Sequence, residues 1–534
     1  MKLNLDSIEG ERSEWEKAGI SLPDFDIAKI RANTAEKPQW IHFGAGNIFR
    51  GFISGLADSL ISEGKLDTGI IASDTFDGEI IDKIYDPFDS LTLSVGLRSD
   101  GNSEKKVTAG IADAIKADSN GMIKLREIAA NPSLQLISFT ITEKGYACTD
   151  LEGNVFSFVE ADVKAGPDSP ATAMGIVTAL LFERFKAGEK PIALVSMDNC
   201  SQNGKKLRDA VLFMANQWMK EGFVGKPFID YVSNEEVVSF PWSMIDKITP
   251  RPDESIAAEL KALGIEEIDP IITGKKTFIA PFVNAEIPQY LVIEDKFPNG
   301  RPCLEDAGVY MTDRDTVNKA EKMKVMTCLN PLHTALAVCG CLLGYTKISD
   351  EMNDEDLKDL VYALGDEGMK VVISPGIISP EDFIREVLEE RLPNPYLPDT
   401  PQRIATDTSQ KIAIRFGETI KGYAADNSVD QMEIIPFVLA AWLRYLLGVD
   451  DKGNEMSLSS DPMLDVLKQA MGDITLGQSI DDMTGIAWIL SKDELFGSNL
   501  LKMDSLADKV KEHLNNMLQG PGAVREELKK VLKK

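Results

Sequence analysis

A lysine, an asparagine and a histidine lie close together in residues 322–333, Lys-Met-Lys-Val-Met-Thr-Cys-Leu-Asn-Pro-Leu-His. Pro331 favours a helix start and disfavours helical geometry at the preceding residue, so Asn330 is predicted to be an N-cap. Lys324 could exchange a proton with a carbonyl oxygen, Asn330 could hold that oxygen as charge builds, and His333 could orient a hydroxyl. This chemistry suits carbonyl reduction. A capping asparagine, a packed histidine and a surface lysine would explain the same residues structurally.

A second candidate segment carries three cations, Arg403, Lys411 and Arg415, separated by eight and four residues. The chain has a formal net charge of −28, so an anionic substrate would be attracted only by a local cluster of this kind. Arginine and lysine side chains on one surface are typical of a carboxylate-binding site. A helix with ion pairs between residues four apart explains the spacing equally well.

Composition and charge exclude several classes of protein. Only three histidines occur, His42, His333 and His513, on segments with no evident reason to meet, so no zinc or other metal site is expected. The negative charge argues against a nucleic-acid partner. The N-terminus lacks the apolar core of a secretory signal, and the longest apolar run, 334–343, is too short to span a membrane. We therefore expect a cytoplasmic protein without a membrane partner.

The elements that must position these residues begin with a strand predicted over 39–43. It is followed by the turn Gly44-Ala45-Gly46-Asn47-Ile48, a helix to about residue 63 and a second strand over 68–73. This order is a βαβ unit, which implies a parallel sheet. The glycines let the backbone approach a pyrophosphate, and the helix N-terminus offers free N–H groups to it. The alternative is an ordinary glycine turn.

Asp74 ends the second predicted strand. An acid at this place can accept hydrogen bonds from the adenosine ribose and would repel a 2′-phosphate, which favours NAD over NADP. A solvated aspartate, or the cap of the next helix, is the competing interpretation.

Buried strands are also predicted over 134–141 and 192–196, since neither alternates cleanly between polar and apolar residues. The second strand runs into a polar loop that contains Asp198, Asn199 and Asn203. Ligands of open parallel sheets bind beyond the carboxyl ends of the strands, where these side chains would lie. Turn and cap residues would have the same composition.

A turn-rich break at 297–302 divides the chain. We predict that residues 1–297 form an α/β, Rossmann-type domain with a polar N-terminal lead-in, and an antiparallel side strand at Thr92–Leu97. Residues 298–534 are predicted to form a mainly α-helical domain that acts on the substrate. Long helical patterns support this, including 331–345, 354–371, 380–391 and 431–448.

Taken together, the segments from about residue 38 to 445 resemble the polyol-specific long-chain dehydrogenase/reductase family, or mannitol dehydrogenase family. The landmarks are the stretch Gly44–Arg50, Thr142-Glu-Lys-Gly-Tyr146, Asp198-Asn199 with Asn203-Gly204, Ser243–Pro250, Val292–Pro302, Asn330–His333 and Arg403–Arg415. The resemblance implies a Rossmann-type domain followed by a mainly helical domain, NAD as cofactor, and catalysis without zinc.

The resemblance also implies roles for particular residues. Lys324 is expected to be the general acid/base, Asn330 and Asn203 to stabilise the oxyanion, and His333 to complete the catalytic group. Asn203 is preferred to Asn199 because Gly204 follows it. The expected cofactor contacts are Gly44, Ala45, Gly46, Asn47, Ile48 and Asp74, and the expected substrate contacts are Asp246, Arg403, Lys411 and Asn199. In the mannitol enzymes the lysine precedes the asparagine by five residues, whereas here the separation is six and Val325 occupies the expected place.

Within the family, residues 399–403 and 328–333 are most similar to the branch that interconverts D-fructuronate and D-mannonate by hydride transfer. The expected partner is therefore a small sugar acid or polyol, and no oligomeric state is predicted. The alternatives are a mannitol 2-dehydrogenase acting on D-fructose and D-mannitol, or a tagaturonate reductase. A protein of a different class, a sensor that binds NADH without turnover, also remains open.

Overall fold

The computed structural model describes residues 1–150, 152–397, 399–477, 483–503 and 505–533. The chain forms two compact units, Met1–Asn318 and Lys319–Lys534. The boundary predicted from the sequence lies earlier, at residue 297. The first unit continues past that point because the strand Tyr310–Thr312 pairs in parallel with Tyr290–Glu294.

A six-stranded, wholly parallel sheet forms the centre of the first unit. Its strands in chain order are β1 Trp40–Phe43, β2 Ile70–Asp74, β3 Ile111–Lys116, β4 Leu136–Phe139, β5 Ile192–Ser196 and β6 Val238–Ser239. They lie side by side as β3-β2-β1-β4-β5-β6, the doubly wound Rossmann order. The order reverses between β1 and β4, and ligands of such folds bind at this switch point. The predicted α/β fold is confirmed.

Successive residues of these strands enter two hydrophobic cores, one on each side of the sheet. In β1, Ile41 and Phe43 belong to one core and Trp40 to the other. In β5, Leu194 and Ala193 divide in the same way. Because both faces are covered, the strand sequences are apolar without alternation.

Helices pack around the sheet, and smaller sheets flank it. The predicted side strand Thr92–Leu97 is antiparallel to Ser103–Thr108, but it also pairs in parallel with Phe282–Glu286 and so belongs to a separate four-stranded sheet. The helices of this unit include Leu5–Gly10, Arg12–Lys17, Ile27–Glu36, Ser54–Ser62, Gly121–Ala130, Ser157–Ala165, Ala173–Lys186, Asn203–Lys220, Lys226–Ser233 and Glu254–Ala262. A three-stranded sheet contains Ser243–Asp246, Tyr290–Glu294 and Tyr310–Thr312.

The second unit is mainly helical, as predicted. Its helices include Asn330–Leu343, Ile348–Glu351, Glu355–Met369, Pro380–Glu386, Pro401–Ile404, Thr408–Ile412, Glu418–Ala425, Ile434–Tyr445, Leu464–Met471, Thr484–Leu490, Asp493–Phe496, Leu506–Met517 and Ala523–Val531. The helical stretch Arg314–Leu343 is long and apolar enough to cross a membrane by length and composition alone. However, 78% of its apolar window is buried inside the protein, which is the environment of a core helix.

Among the described residues of this helical unit, three π turns lie at Lys324–Cys328, Val387–Arg391 and Ala413–Gly417. In a π turn each N–H group bonds to the carbonyl five residues earlier, so the helix takes in one extra residue without ending. Such turns are rare and often lie at functional sites. Each of the three contains a basic residue, namely Lys324, Arg391 and Arg415 respectively.

Candidate active site

Gly44 and Gly46 shape the turn that follows β1. Gly44 has a φ of +105°, and a Cβ atom on it would lie 2.1 Å from the carbonyl oxygen of Thr140, just beyond β4. Only glycine allows so close an approach. A Cβ atom on Gly46, in contrast, would meet no atom within 4 Å. The turn therefore leaves open space in front of its own backbone.

The carboxylate of Asp74, at the end of β2, holds this turn in place. Its Oδ2 accepts a hydrogen bond from the N–H of Ala45 (3.1 Å), and its Oδ1 accepts from the N–H groups of Phe76 (2.8 Å) and Asp77 (2.7 Å). Burial raises the pKa of Asp74, and these three donors act in the opposite direction. Asp74 thus organises the glycine turn, a contact that the sequence did not predict.

A cavity of about 650 Å³ opens at the carboxyl ends of β1, β2 and β4, and Gly44, Gly46 and Asp74 are among its lining residues. It lies at the switch point of the sheet. Asn47, in the same turn, has a buried Oδ1 without a hydrogen-bond partner among the described residues. An open glycine backbone and an acid at the end of β2 fit the phosphates and ribose of a dinucleotide.

One wall of this cavity is the loop Thr140–Tyr146, which Asp198 fixes. The Asp198 carboxylate accepts hydrogen bonds from the N–H groups of Ile141 (3.0 Å) and Thr142 (2.8 Å) and from the Tyr146 hydroxyl (2.5 Å). Thr142 has a φ of +65°, which is uncommon for a β-branched residue. The resemblance of the loop to a family landmark was the one feature of the sequence that pointed to this arrangement.

A smaller cavity of about 270 Å³ adjoins the turn that follows β1. Ile48 lines it, together with Thr142, Met197, Asn199 and Lys247. Asn199 therefore borders space that a ligand can enter. Asn203, the other asparagine predicted from this loop, is not among the residues that line this cavity.

Asn203 is instead used entirely within the protein. Its Nδ2 donates to the carbonyl oxygen of Asp198 (3.0 Å) and to the carbonyl and hydroxyl oxygens of Ser243 (3.0 and 2.9 Å). Its Oδ1 accepts from the N–H groups of Gly204 (2.7 Å) and Ser243 (3.0 Å). An amide has two N–H donors, so Asn203 has none left for a substrate oxygen. In this structure Asn203 therefore holds its loop against Ser243, and its role as oxyanion donor stays a prediction.

Asp246, predicted to contact substrate, is buried at the end of the strand Ser243–Asp246. It pairs with Tyr290 of the neighbouring antiparallel strand. The residues on either side of it, Ile245 and Lys247, both line the smaller cavity.

In the second unit, Lys324 is buried and opens the first of the three π turns. The N–H of Leu329 donates to the Lys324 carbonyl oxygen at 3.1 Å, which is the five-residue bond of a π turn. The carbonyl oxygen of Met326 accepts a hydrogen bond from the Thr419 hydroxyl at 3.2 Å. The turn is thus supported from a neighbouring helix.

Asn330 is the first residue of the next helix and not its N-cap, so that prediction was wrong. Leu329 occupies the N-cap position, and Pro331 is the second helical residue. The π turn explains the difference, because it brings the chain into the helix one residue earlier than a proline start would suggest. Asn330 still lies in the first turn with His333, as the sequence indicated.

His333 is neutral at physiological pH. Burial, together with the positive charges of Arg415, Arg403, Arg391 and Lys411, lowers its pKa to about 3. Its Nε2 is 3.4 Å from the nearer carboxylate oxygen of Asp399, yet forms no hydrogen bond among the described residues. The ring can therefore donate to or accept from a ligand hydroxyl, but it cannot serve as a cationic acid.

The predicted cations Arg403 and Lys411 both belong to this group around His333. Arg403 is paired with Asp399, and Lys411 donates to the carbonyl oxygens of Thr406 and Ile404. Arg415, the third cation of the same sequence pattern, also lies near His333, and the structure adds Arg391. Arg391 was not predicted from the sequence, because it lies in a different helical segment, at the end of the second π turn.

The histidines have separate environments. His42 binds the hydroxyls of Ser138 (2.7 Å) and Thr140 (2.8 Å) through its two ring nitrogens, and His513 binds Glu527 (2.7 Å). Because both nitrogens of His42 are used, it has no lone pair free for a metal while these bonds persist.

The chain matches two family models of mannitol dehydrogenases, the Rossmann domain over residues 38–306 and the C-terminal domain over 316–518. It is 54% identical to a D-mannonate oxidoreductase of Thermotoga maritima, over 100% of this chain and 99% of that protein. It is 30% identical to a polyol:NADP oxidoreductase of Gluconobacter oxydans, over 83% and 86% of the two chains.

Among solved structures, the Pseudomonas fluorescens mannitol 2-dehydrogenase in a ternary complex with NAD and D-mannitol is similar over the whole of both chains, with 27% identity and a TM-score of 0.71. The matched models together span most of the sequence, and both the Rossmann sheet and the helical unit agree with them. The chain therefore belongs to the mannitol dehydrogenase family of oxidoreductases.

Proposed function

We propose that the chain is an NAD-dependent oxidoreductase that interconverts D-fructuronate and D-mannonate. The observation that carries this proposal is the group of four cations around a neutral histidine in a chain with a net charge of −28. Such a group suits a substrate with a carboxylate. The 54% identity to a D-mannonate oxidoreductase supports the same substrate class.

The larger cavity of the first unit is the proposed dinucleotide site. Gly44, Ala45, Gly46, Asn47 and Asp74 would hold the diphosphate and ribose, and Ile48 would face the smaller cavity. Asp74 favours NAD, because its negative charge would repel a 2′-phosphate. The NAD complex of the Pseudomonas fluorescens enzyme supports this choice.

NAD, when bound, supplies or accepts the hydride. During reduction Lys324 would give a proton to the ketone oxygen, and during oxidation it would take the proton back from the hydroxyl. Asn330 would donate a hydrogen bond to that oxygen while it carries negative charge. The predicted second donor is an asparagine of the loop after β5, either Asn203 or Asn199. His333 would orient a neighbouring hydroxyl through its unpaired Nε2, and Asp246, Arg403 and Lys411 would bind other parts of the substrate.

The π turn supports Lys324 as the acid/base. Lys324 precedes Asn330 by six residues, one more than in the mannitol enzymes, and a π turn takes in one extra residue. The lysine can thus occupy the same position relative to the helix start despite the longer spacing.

The test is oxidation of NADH by the purified protein with D-fructuronate, D-tagaturonate and D-fructose in parallel, repeated with NADPH and after dialysis against a chelator. We expect D-fructuronate with NADH to give the highest kcat/KM, unchanged by the chelator. Preference for D-fructose would make the protein a mannitol 2-dehydrogenase, and NADH binding without any turnover would favour a sensor. We further propose a cytoplasmic location, which fractionation of the native cells would check.

A further inference from the structure

Several buried or half-buried arginines among the described residues bind either carboxylates or backbone carbonyl oxygens. Arg301 and Arg525 bind carboxylates, those of Asp295 and Glu305 and those of Asp354 and Asp356. The fully buried Arg50, Arg184 and Arg444 donate to backbone carbonyl oxygens instead. Both solutions satisfy the rigid, five-donor guanidinium group.

Arg415 follows neither pattern. Its Nη1 donates to the hydroxyl of Thr334, and its other N–H groups have no acceptor among the described residues. Burial is the cause of the fall in its pKa to about 10, with no carboxylate opposing it. The remaining donors of this guanidinium are therefore available to a ligand.

The position of Arg415 suits a substrate. Thr334, its partner, directly follows His333 and donates its own hydroxyl to the carbonyl oxygen of Asn330 at 2.8 Å. The π turn that carries Arg415 also packs against the π turn that begins at Lys324. Arg415 thus contacts Thr334, which lies four residues and about 6 Å along the helix from Asn330, the proposed contact of the reacting ketone. This separation suits the other end of a six-carbon substrate.

The other predicted cations are already partly used. Arg403 is paired with Asp399, and its side chain is 63% exposed, while Lys411 donates to two backbone carbonyls. A guanidinium with free parallel N–H groups binds a carboxylate through two hydrogen bonds at once, which a lysine cannot do.

We propose that Arg415 binds the carboxylate of the sugar-acid substrate and so determines the specificity of the enzyme for acids. This inference rests on the proposed function, since it concerns the same substrate. D-fructuronate and D-fructose share the ketone end and differ at the opposite end of the chain, where one has a carboxylate and the other a hydroxymethyl group. A cation that binds the end of the substrate opposite the ketone would therefore distinguish sugar acids from neutral sugars.

The test uses Arg415→Gln and Arg415→Lys, with Arg385→Gln as the control. Arg385 is an exposed arginine that forms a salt bridge with Asp382 of its own helix. Two quantities would be measured for each protein: kcat/KM for D-fructuronate, and the affinity for D-mannonate in the presence of NADH by calorimetry. The affinity for NADH alone reports whether the variant is folded.

We expect Arg415→Gln to lose roughly 30-fold or more in both quantities, the usual effect of removing one partner of a buried charge pair, with NADH affinity unchanged. Arg415→Lys, which keeps the charge and is less disruptive, should lose less, and Arg385→Gln should match the wild type. Unchanged D-mannonate affinity in Arg415→Gln and Arg415→Lys would overturn the inference, as would a parallel loss of NADH affinity. Failure of the proposed function would appear separately, as a wild-type protein that does not reduce D-fructuronate.

Discussion

The hydroxyl of Tyr146 donates a hydrogen bond to the carboxylate of Asp198 at 2.5 Å and joins the loops that follow β4 and β5. The same carboxylate accepts the N–H groups of Ile141 and Thr142. Burial raises the pKa of Tyr146 well above its usual value, so the hydroxyl keeps its proton and remains a donor. The wall of the proposed dinucleotide cavity thus depends on one carboxylate.

Tyr146→Phe should weaken NADH binding several-fold, because the loop loses one of its anchors. A hydrogen bond to a charged acceptor contributes about 1.5–3 kcal/mol, so the free energy of unfolding should fall by a similar amount. NADH titration and denaturant unfolding would measure the two effects. Tyr231→Phe is the matched control: this buried tyrosine donates to the carbonyl oxygen of Lys190 and is not among the residues that line the cavity. If both variants bind NADH equally well, Tyr146 has no role at the cavity.

The two glycines of the turn should respond differently to alanine. Gly46→Ala places a methyl group in open space, so the protein should fold normally but bind NADH at least tenfold more weakly, since the methyl group occupies ligand volume. Gly44→Ala collides with the Thr140 carbonyl and requires a positive φ, so it should lower the melting temperature. Normal NADH affinity in Gly46→Ala would place the diphosphate elsewhere.

Asn199 and Asn203 provide a second contrast. Asn199→Ala should lower kcat by about 10²–10³-fold, the typical effect of losing one oxyanion donor, with little change in melting temperature. Asn203→Ala should mainly destabilise the protein, because it leaves the Ser243 N–H without its acceptor and removes one hydrogen bond of the Ser243 hydroxyl, which still donates to the Ser196 carbonyl oxygen. Steady-state kinetics and thermal melts on both variants would check this. The reverse result would restore Asn203 as the catalytic asparagine.

Lys324→Ala should lower kcat by about 10²–10⁴-fold, as expected for a general acid/base. Lys322→Ala, two residues earlier and exposed, serves as the control and should leave turnover unchanged. NADH binding should be normal in both variants. A loss of less than tenfold in Lys324→Ala would show that another group transfers the proton.

Acid should destabilise the first unit through His42. Burial lowers the pKa of His42 to about 3, whereas the unfolded chain takes up the proton near pH 6.5. The stabilising contribution is therefore complete above pH 6.5 and is lost as the pH falls towards 3, by about 1.4 kcal/mol per pH unit. Denaturant unfolding at several pH values should show this slope, and His42→Gln should reduce it. An equal slope in the variant would assign the acid sensitivity to other groups.

Local patterns predicted much of this structure. The apolar strands, the glycine turn and the long helices follow from composition and periodicity. The spacing of apolar residues in each segment indicates whether one or both of its faces are buried. The choice between Asn199 and Asn203 does not, since both have the same side chain in the same loop. The two asparagines differ in their surroundings, because Ser243, forty residues further along the chain, binds Asn203 through its backbone and its hydroxyl.

The sequence also did not predict the position of Asn330 in its helix or the presence of Arg391 near His333. Both depend on π turns, which have no recognisable residue pattern and shift the direction of side chains by one residue. Arg415 was visible as one of three regularly spaced cations, but its lack of an acid partner emerges only when the surrounding side chains are placed.

The π turn at Lys324–Cys328 has a consequence for comparing relatives of this protein. An alignment that keeps helices free of gaps and is anchored on the asparagine will place Val325, not Lys324, opposite the lysine of the mannitol enzymes. Such an alignment would classify this chain as lacking the proposed acid/base. A gap placed inside the helix, at the π turn, would align Lys324 with that lysine.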